Sequence, residues 1–223
     1  MFDAASRRYI LSNKVLTLGQ DERWRQAALK AIEPRPDAKI LDVCTGPADL
    51  ALKIAKKFPH LKVYALDYSP WMLAVAKKRA KARQNLIFRE GDCTRMEFEN
   101  DYFDYVTISF GFRNLSFSQE NLGNALTEIY RVLKKDGSFI IIETSQPENR
   151  FIRRLFHFYA ANLVPTAGRI FSGLDMPYAY LGNSIIKFFS QDRLINILES
   201  YGFKKESSKA FMLGMIILCV TKK

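Results

Sequence analysis

The chain has 223 residues, of which 48% are hydrophobic and 26% are charged, a composition that is ordinary for a soluble globular protein. Its length allows roughly 70% of the unfolded surface to be buried in one core and argues against two full domains, so a single domain over residues 1–223 is predicted. The formal net charge of +11 makes nucleic acid, anionic lipid or an acidic small molecule a plausible partner, although a lysine-rich solvated surface gives the same charge.

The three cysteines, Cys44, Cys93 and Cys219, are odd in number and lie far apart in the chain. They provide neither a disulfide framework nor a CxxC metal pair, and no metal-ligand spacing is present elsewhere, so no bound metal is predicted. The N-terminus has no apolar stretch of signal-peptide length, and the longest apolar run, FMLGMIILCV, is too short to span a bilayer. We expect a protein of the reducing cytoplasm that meets a membrane, if at all, at its surface.

Apolar runs of strand length alternate along the chain with stretches whose apolar residues recur at helical spacing. AKILDV and LKVYALD are predicted strands, followed by the predicted helices DLALKIAKKF and PWMLAVAKKRAKAR. NLIFREGD, DYVTISF and SFIIIET are further predicted strands, with the helix SQENLGNALTEIYRVLKK and the turn KKDG before the last of them. This alternation predicts a parallel sheet with helices on both faces, which binds ligands beyond the carboxyl ends of its strands.

Residues 146–190, here called the aromatic segment, break this alternation. They are rich in aromatic residues and interrupted by prolines and glycines, among them Pro165, Gly168 and Gly182, which predicts short helices joined by turns. We expect the aromatic segment to be a helical lid inserted over the site. The helix QDRLINILESYGF and two tightly joined strands in KKESSKAFMLGMIILCVTKK follow, so the predicted α/β sheet has seven strands and is mostly parallel.

A polar group follows each of the first four strands, where such a sheet binds its ligand. Any one of these residues, taken alone, is more simply a helix cap or a turn residue, but their joint placement favours a site. An acid at the end of the second strand, as Asp67 is, can accept hydrogen bonds from both ribose hydroxyls. The residues are Asp42 with Gly46, then Asp67, then Asp92, then Ser109 with Arg113 and Asn114.

The loop in DVCTGPADL has one glycine, Gly46, where phosphate-binding loops have two or three. Pro47 removes an N–H donor, and Ala48 places a Cβ where a glycine would stand, so close approach to a pyrophosphate is disfavoured. An adenosine with an amino-acid tail and no phosphate needs only one close contact, at Gly46. The loop therefore predicts S-adenosylmethionine as the cofactor.

Four stretches, LDVCTGPADL, ALDYSPWML, YVTISFGFRNLSF and EIYRVLKKDGSFIIIE, resemble in order and spacing the quinone-ring C-methyltransferases of ubiquinone and menaquinone biosynthesis, the UbiE type, within the class I methyltransferase fold. SFGFRN is the most specific of these signals. Residues 1–30, which include MFDAASRRYILSNKVLTLGQDERWR, resemble the opening segment of the family and are predicted to form an N-terminal helical cap. The chain departs from the family at Pro47 and Ala48, where the family usually has Thr and Gly.

The resemblance implies an S-adenosylmethionine-dependent enzyme that methylates the ring of a quinol. It implies that Asp67 binds the ribose, that Asp92 and Cys93 line the adenine, and that Ser109 lies beside the cofactor. The full set of predicted cofactor-binding residues is Asp42, Thr45, Gly46, Asp67, Tyr68, Asp92, Cys93 and Ser109.

Methyl transfer to carbon requires an electron-rich ring, and a hydroquinone that loses a phenolic proton places negative charge on the neighbouring ring carbon. A fixed cation near that oxygen stabilises the developing charge, and Arg113 is the predicted cation. Since a guanidinium keeps its proton at neutral pH, Arg113 and Asn114 are expected to orient a water or the phenolate. The alternative is that Arg113 pairs structurally with an acid. Tyr9 is predicted to place its hydroxyl against a ring oxygen, or else to be an ordinary packed tyrosine.

The predicted partner is a small hydrophobic aromatic acceptor. Apolar faces of the aromatic segment flanked by arginines suit a lid that touches anionic lipid and admits a greasy tail, although a helical subdomain packing its own aromatics is an equal alternative. RNA methylation is a competing function, disfavoured because SFGFRN replaces the N/D-PP-Y/F motif of many nucleic-acid methyltransferases. O-methylation, cofactor binding without catalysis and a homo-oligomeric state stay open.

Overall fold

The computed structural model describes residues 14, 16–17, 19–81, 83–172 and 176–223. Half of the predicted N-terminal cap, residues 1–13, 15 and 18, lies outside these residues, and Tyr9 is among them. The interpretation of Tyr9 therefore stays a prediction.

The described residues form a seven-stranded sheet in the order β3-β2-β1-β4-β5-β7-β6. The strands are β1 (Lys39–Val43), β2 (Lys62–Asp67), β3 (Leu86–Glu90), β4 (Phe103–Ser109), β5 (Leu133–Thr144), β6 (Lys204–Phe211) and β7 (Ile216–Lys222). Strands β1 to β5 pair in parallel, whereas β7 lies antiparallel between β5 and β6. The mostly parallel, Rossmann-like sheet predicted from the sequence is confirmed.

Helices cover both faces of this sheet. They are α1 (Asp21–Lys30), α2 (Asp49–Lys57), α3 (Pro70–Ala80), α4 (Phe112–Leu115), α5 (Gln119–Val132), α6 (Arg150–Phe158), α7 (Val164–Ser172), α8 (Met176–Lys187) and α9 (Gln191–Ser200). Apolar residues of α1, α2 and α3 form one buried cluster, and those of α5 and α9 form another. Because successive strand side chains point to opposite faces, Ile40 of β1 enters the first cluster and Leu41 the second.

The aromatic segment is more continuously helical than its prolines and glycines predict. Helix α6, a π-helical turn (Tyr159–Leu163) and α7 follow one another without a break, so the turn predicted near Pro165 is wrong. In the π turn, the Val164 N–H bonds to the carbonyl of Tyr159, five residues earlier. This wider turn accommodates a proline, which has no N–H and whose ring would clash with the carbonyl four residues before it.

Helix α8 packs back on this turn at a position that only glycine can occupy. A Cβ at Gly182 would lie 2.1 Å from the carbonyl oxygen of Ala160. Phe156, Ala160 and Ile185 form a small buried cluster between the helices. The aromatic segment thus has a core of its own.

Strand β5 begins earlier than the predicted turn KKDG allows. Leu133 already pairs with Phe103, and the register then shifts so that Ser138 faces Tyr105. Asp136 adopts a left-handed φ of +63° within the shift. The KKDG residues therefore form a bulge within β5, because the residues before and after them both pair with β4.

Candidate functional site

The polar residues singled out in the sequence lie at the carboxyl ends of four neighbouring strands. Across the sheet they follow in the order Asp92 after β3, Asp67 on β2, the loop after β1, and Ser109 on β4. Neighbouring strands are about 4.8 Å apart, so β3 and β4 are separated by roughly 14 Å. An elongated ligand with a flat base at one end and a reactive group at the other can cross this edge.

The loop between β1 and α2 has an uncommon backbone conformation. Cys44, Gly46 and Ala48 have positive φ angles of +50°, +54° and +60°. Such angles are rare outside glycine, cost free energy, and cluster at functional sites. Apart from Gly46 itself and its two chain neighbours, no described residue has an atom within 4 Å of the position that a Cβ would take there, so a ligand can approach the backbone.

Arg79 of α3 braces this loop. Its guanidinium donates to the Pro47 carbonyl oxygen at 2.6 Å and to Oδ1 of Asp49 at 2.6 Å. Arg25 of α1 reaches the other oxygen of Asp49 at 3.4 Å. The sequence analysis missed Arg79, because nothing in the basic run AKKRAKAR marks which of its charges turns inward.

Asp42 lies beneath the loop with its carboxylate already bonded. Oδ2 accepts the Thr45 hydroxyl at 2.5 Å, and Oδ1 accepts the Thr107 hydroxyl at 2.6 Å. The residue is 2% exposed, and this burial raises the pKa of Asp42 to about 6. Asp42 and Thr45 thus order the loop, with Thr107, which the sequence analysis missed, as their partner. Direct contact of Asp42 or Thr45 with a cofactor stays a prediction.

Asp67 connects the ends of β1 and β2. Its Oδ2 accepts the Gly46 N–H at 2.6 Å, and its Oδ1 accepts the Ser69 N–H at 2.9 Å. Since an ionised carboxylate has about four acceptor positions, two bonds leave capacity for ribose hydroxyls. The structure therefore brings the predicted ribose acid and the predicted glycine contact together.

A surface hollow of about 430 Å³ lies beyond Asp67, at the ends of β2 and β3. Tyr68 is 77% exposed at its edge, so its ring is available for stacking. Asp92 is also exposed, and its carboxylate accepts the Thr94 N–H at 2.8 Å in a turn. The residues lining the hollow are Tyr68, Pro70, Glu90, Gly91 and Asp92.

Cys93 follows Asp92 in the loop after β3. Its side chain is buried, and its Sγ lies 3.8 Å from Sγ of Cys44 in the loop after β1. The contact with Cys93, together with burial, raises the pKa of the Cys44 thiol well above its ordinary value. The two side chains pack against each other and so join two loops of the site.

The stretch SFGFRN lies against the same loop from the β4 side. Gly111 is needed there, since a Cβ would lie 2.7 Å from Cβ of Cys44. Phe110 has a left-handed φ of +58°, and its ring contacts Trp24 and Arg25 of α1. Ser109 has a buried Oγ to which no other described residue bonds.

Arg113, the predicted catalytic cation, is held by an acid that the sequence analysis missed. Its Nη1 lies 2.5 Å from Oε1 of Glu143 on β5, and its backbone N–H donates to Oε2 at 3.2 Å. Arg113 therefore forms an ion pair with Glu143, as the structural alternative for this residue predicted. The sequence contains a signal for Glu143, because this residue is near the end of the predicted strand SFIIIET. Polar residues at the ends of the first four strands are site candidates, and the same reasoning applies to this strand. Asn114 is exposed on α4 beside Arg113.

The aromatic segment is joined to this edge of the sheet through Gln146. Its Nε2 donates to the Ile185 carbonyl of α8 at 2.8 Å, and its Oε1 lies 2.7 Å from Nε2 of His157 on α6. Phe188, just after α8, packs edge-on against Phe112 of α4. The helices after β5 are thus fixed next to the turn that carries Arg113.

These features fit S-adenosylmethionine better than a phosphate ligand. The open space at Gly46 accepts a close contact, the Ser109 hydroxyl lacks a partner among the described residues, and Asp67 has spare acceptor positions for a ribose. No described group of three or more His, Cys, Asp or Glu residues could hold a metal ion.

The model of the ubiE/COQ5 methyltransferase family matches residues 1–223. The chain belongs to this family. It is a class I methyltransferase, and the family resemblance read from the sequence is confirmed.

Relatives of known name agree with this assignment over nearly their whole lengths. The chain is 37% identical to the demethylmenaquinone methyltransferase of Chlorobaculum tepidum, covering 100% of this chain and 90% of that protein. It is 36% identical to the ubiquinone/menaquinone biosynthesis C-methyltransferase UbiE of Geotalea daltonii, covering 96% and 91%.

Solved structures share the fold at lower identity. A SAM-dependent methyltransferase from Aquifex aeolicus superposes with a TM-score of 0.63 at 18% identity, covering 98% of this chain and 97% of that one. The [4+2]-cyclase SpnF superposes with a TM-score of 0.67 at 15% identity, covering 90% and 80%. Since one of these proteins is named as a cyclase, the fold alone does not assign a reaction.

Proposed function

We propose that the protein transfers a methyl group from S-adenosylmethionine to a ring carbon of a reduced quinone, the reaction class for which its relatives from Chlorobaculum tepidum and Geotalea daltonii are named. The observation that carries the proposal is the position of Arg113. Its guanidinium is fixed at the ends of β4 and β5, next to the stretch that contacts the loop after β1.

In this proposal residues at the carboxyl ends of β3, β2, β1 and β4 would hold the cofactor. Asp67 accepts the ribose hydroxyls, and Tyr68, Asp92 and Cys93 form the adenine end. Gly46 provides the close backbone contact, and Ser109 lies next to the reactive end. Asp42 and Thr45 support the loop from within, consistent with their burial.

When bound, the cofactor supplies an electrophilic methyl group on a sulfonium sulfur. The protein holds the acceptor ring near attack distance and excludes water, which provides most of the acceleration of an in-line displacement. Arg113 stabilises negative charge on the acceptor oxygen as the phenolic proton leaves. Since its guanidinium cannot act as a base at neutral pH, Arg113 and Asn114 orient a water or the phenolate. In the same proposal, the Tyr9 hydroxyl is placed against a ring oxygen.

The aromatic segment covers the acceptor and meets the membrane surface from which a lipid-soluble acceptor comes. Phe151, Leu155 and Phe158 are 69%, 53% and 62% exposed and recur at i, i+4 and i+7, on one face of α6. Arg150 and Arg154 are exposed on the same helix. An exposed apolar stripe next to arginines suits an anionic lipid surface. No helix of the described residues has the length and apolar character to cross a bilayer.

Calorimetric titration with S-adenosylmethionine and, separately, with NADH tests the cofactor. Transfer of a labelled methyl group to demethylmenaquinol, to simple phenols and to RNA then tests the acceptor. We expect binding of S-adenosylmethionine alone and a product with a new carbon–methyl bond, formed only from the reduced quinone. A methyl ether product would replace the proposal with O-methylation, and transfer to RNA or to no acceptor would overturn it.

The variant Arg113→Ala isolates the residue that carries the proposal. We expect it to bind the cofactor within about threefold of the wild-type affinity and to lose methyl transfer by roughly 100-fold or more, since one charge-stabilising group contributes about that much. Unchanged transfer by this variant would remove Arg113 from the mechanism.

A further inference from the structure

Glu143 lies on β5 between β4 and β7, where its side chain is fully buried. Four donors converge on its carboxylate. Oε1 accepts Arg113 Nη1–H at 2.5 Å, the Thr144 N–H at 2.7 Å and the Thr144 hydroxyl at 3.1 Å. Oε2 accepts the Arg113 backbone N–H at 3.2 Å. Strand β5 is paired on both sides, and four hydrogen bonds hold the carboxylate of Glu143 in one position.

Arg113, the other member of the ion pair, is less deeply buried. The Arg113 side chain is 11% exposed against 0% for Glu143, and it stands on the four-residue helix α4. Glu143 bonds both the main chain and the guanidinium of that residue, so the rigid strand fixes the short helix and the cation together. Glu143 therefore fixes the position of Arg113, and not the reverse.

The guanidinium keeps most of its donors. It has five N–H groups, and among the described residues Glu143 is the hydrogen-bond partner of its side chain. The remaining donors are held in a fixed orientation at the carboxyl ends of β4 and β5. A bidentate or forked contact to an acceptor oxygen needs such an orientation, because the fork of an arginine is planar and rigid.

We propose that Glu143 is a positioning residue for methyl transfer, which orients the Arg113 guanidinium toward the oxygen of the acceptor ring. This inference rests on the proposed function. Glu143 does not touch the acceptor, so its effect passes through Arg113. A misplacement of a reacting group by about 1 Å can cost roughly 100-fold in rate, and this sets the expected scale.

A double-mutant cycle tests the inference. We expect Glu143→Gln to lower kcat by roughly 10- to 100-fold while KM for S-adenosylmethionine changes less than about threefold. In an Arg113→Ala background, the same substitution should lower the residual rate by less than about threefold, because the group through which it acts is gone. An equal loss in both backgrounds, or an unchanged kcat, would overturn the inference.

Two further variants, Thr144→Val and the control Glu206→Gln, complete the design. Thr144→Val removes one hydroxyl bond from Glu143 and keeps the ion pair, so it remains informative if Glu143→Gln does not fold. We expect a several-fold lower kcat that also disappears in the Arg113→Ala background, and a loss that persists there would count against the inference. Glu206 of β6 pairs with Lys222 of β7 at 2.7 Å, where β7 faces the first half of β5 and not the carboxyl ends of the parallel strands, and Glu206→Gln should leave kcat unchanged.

A readout without turnover separates this inference from the proposed function. In protein labelled with ¹⁵N-arginine, the Arg113 side-chain N–H signals are identified by their loss in Arg113→Lys. We expect them to exchange slowly with solvent in the wild type and at least tenfold faster in Glu143→Gln. If the wild type methylates no quinol but this protection is present, the proposed function fails and the positioning contact stands. If the signals exchange equally fast in both proteins, the inference fails.

Discussion

The carboxylate of Asp67 accepts the Gly46 N–H at 2.6 Å and so joins the carboxyl ends of β1 and β2. One side chain therefore both shapes the loop and offers acceptor positions to a ligand lying over it. The same carboxylate accepts the Ser69 N–H, at the residue that caps α3. A substitution at Asp67 therefore affects the loop after β1, the start of α3 and ligand binding at the same time.

We expect Asp67→Asn to weaken S-adenosylmethionine binding by roughly 10- to 100-fold. A charge-assisted hydrogen bond contributes about 1.5–3 kcal/mol, and an amide presents donors where the carboxylate accepted. Calorimetric titration measures the change. Asp101→Asn is the matched control, because Asp101 is paired with Lys223 just before β4 begins, away from the site. Equal affinities of the Asp67 variant and the wild type would contradict the ribose assignment.

Arg79→Ala should destabilise the fold and loosen the loop after β1. It removes the bonds to the Pro47 carbonyl and to Asp49, so we expect the free energy of unfolding to fall by about 1–3 kcal/mol. Urea denaturation measures this change, and calorimetry should show a weaker cofactor affinity. Arg79→Lys keeps the charge but cannot form both bonds in one plane, and it should fall between the wild type and Arg79→Ala. If Arg79→Ala has the same free energy of unfolding as the wild type, the bonds of Arg79 to Pro47 and Asp49 do not stabilise the fold.

The buried carboxyl of Asp42 makes stability depend on pH. Burial raises its pKa from 3.8 to about 6, so between these values the folded protein binds more protons than the unfolded chain. The contribution of Asp42 to the free energy of unfolding therefore falls as the pH rises through this window, by about 3 kcal/mol in total.

Asp42→Asn isolates this contribution from carboxyl groups with lowered pKa values, such as Glu128, whose contribution has the opposite sign. We expect the free energy of unfolding of the wild type, minus that of Asp42→Asn, to decrease between about pH 4 and about pH 7. Urea denaturation at a series of pH values measures it. Parallel pH profiles for the two proteins would mean that Asp42 titrates at its ordinary pKa.

The exposed face of α6 predicts binding to anionic vesicles. We expect Phe151→Ser/Phe158→Ser to reduce sedimentation with phosphatidylglycerol vesicles by roughly tenfold or more, since each buried aromatic side chain contributes about 1.5–3 kcal/mol. Phe117→Ser is the control, because Phe117 is 72% exposed but lies outside the aromatic segment. Binding should also weaken with salt, as contacts of arginine with lipid headgroups are screened. Equal sedimentation of all three proteins would contradict the membrane contact.

The sequence by itself determined the sheet and the strand ends of the site. Alternating strand and helix periods allow few arrangements, since a parallel strand needs a crossover and its ligand meets the carboxyl edge. Asp67, Asp92 and Ser109 could therefore be placed at one edge from their positions after strands alone. The motif SFGFRN and its neighbours also identified the family, because a short run of specific residues carries more information than composition.

Only the tertiary structure decided which of these residues face a ligand and which support the site. Asp42 and Asp67 each lie at the carboxyl end of a strand, yet Asp42 is buried and bonded by two hydroxyls, whereas Asp67 bonds the loop backbone. Arg113 is held by Glu143, 30 residues further along the chain, and Pro47 by Arg79, 32 residues further along. Such partners are set by packing between elements, which local periodicity does not encode. The π turn before Pro165 follows the same rule, because a helix continues through a proline when neighbouring helices hold it in place.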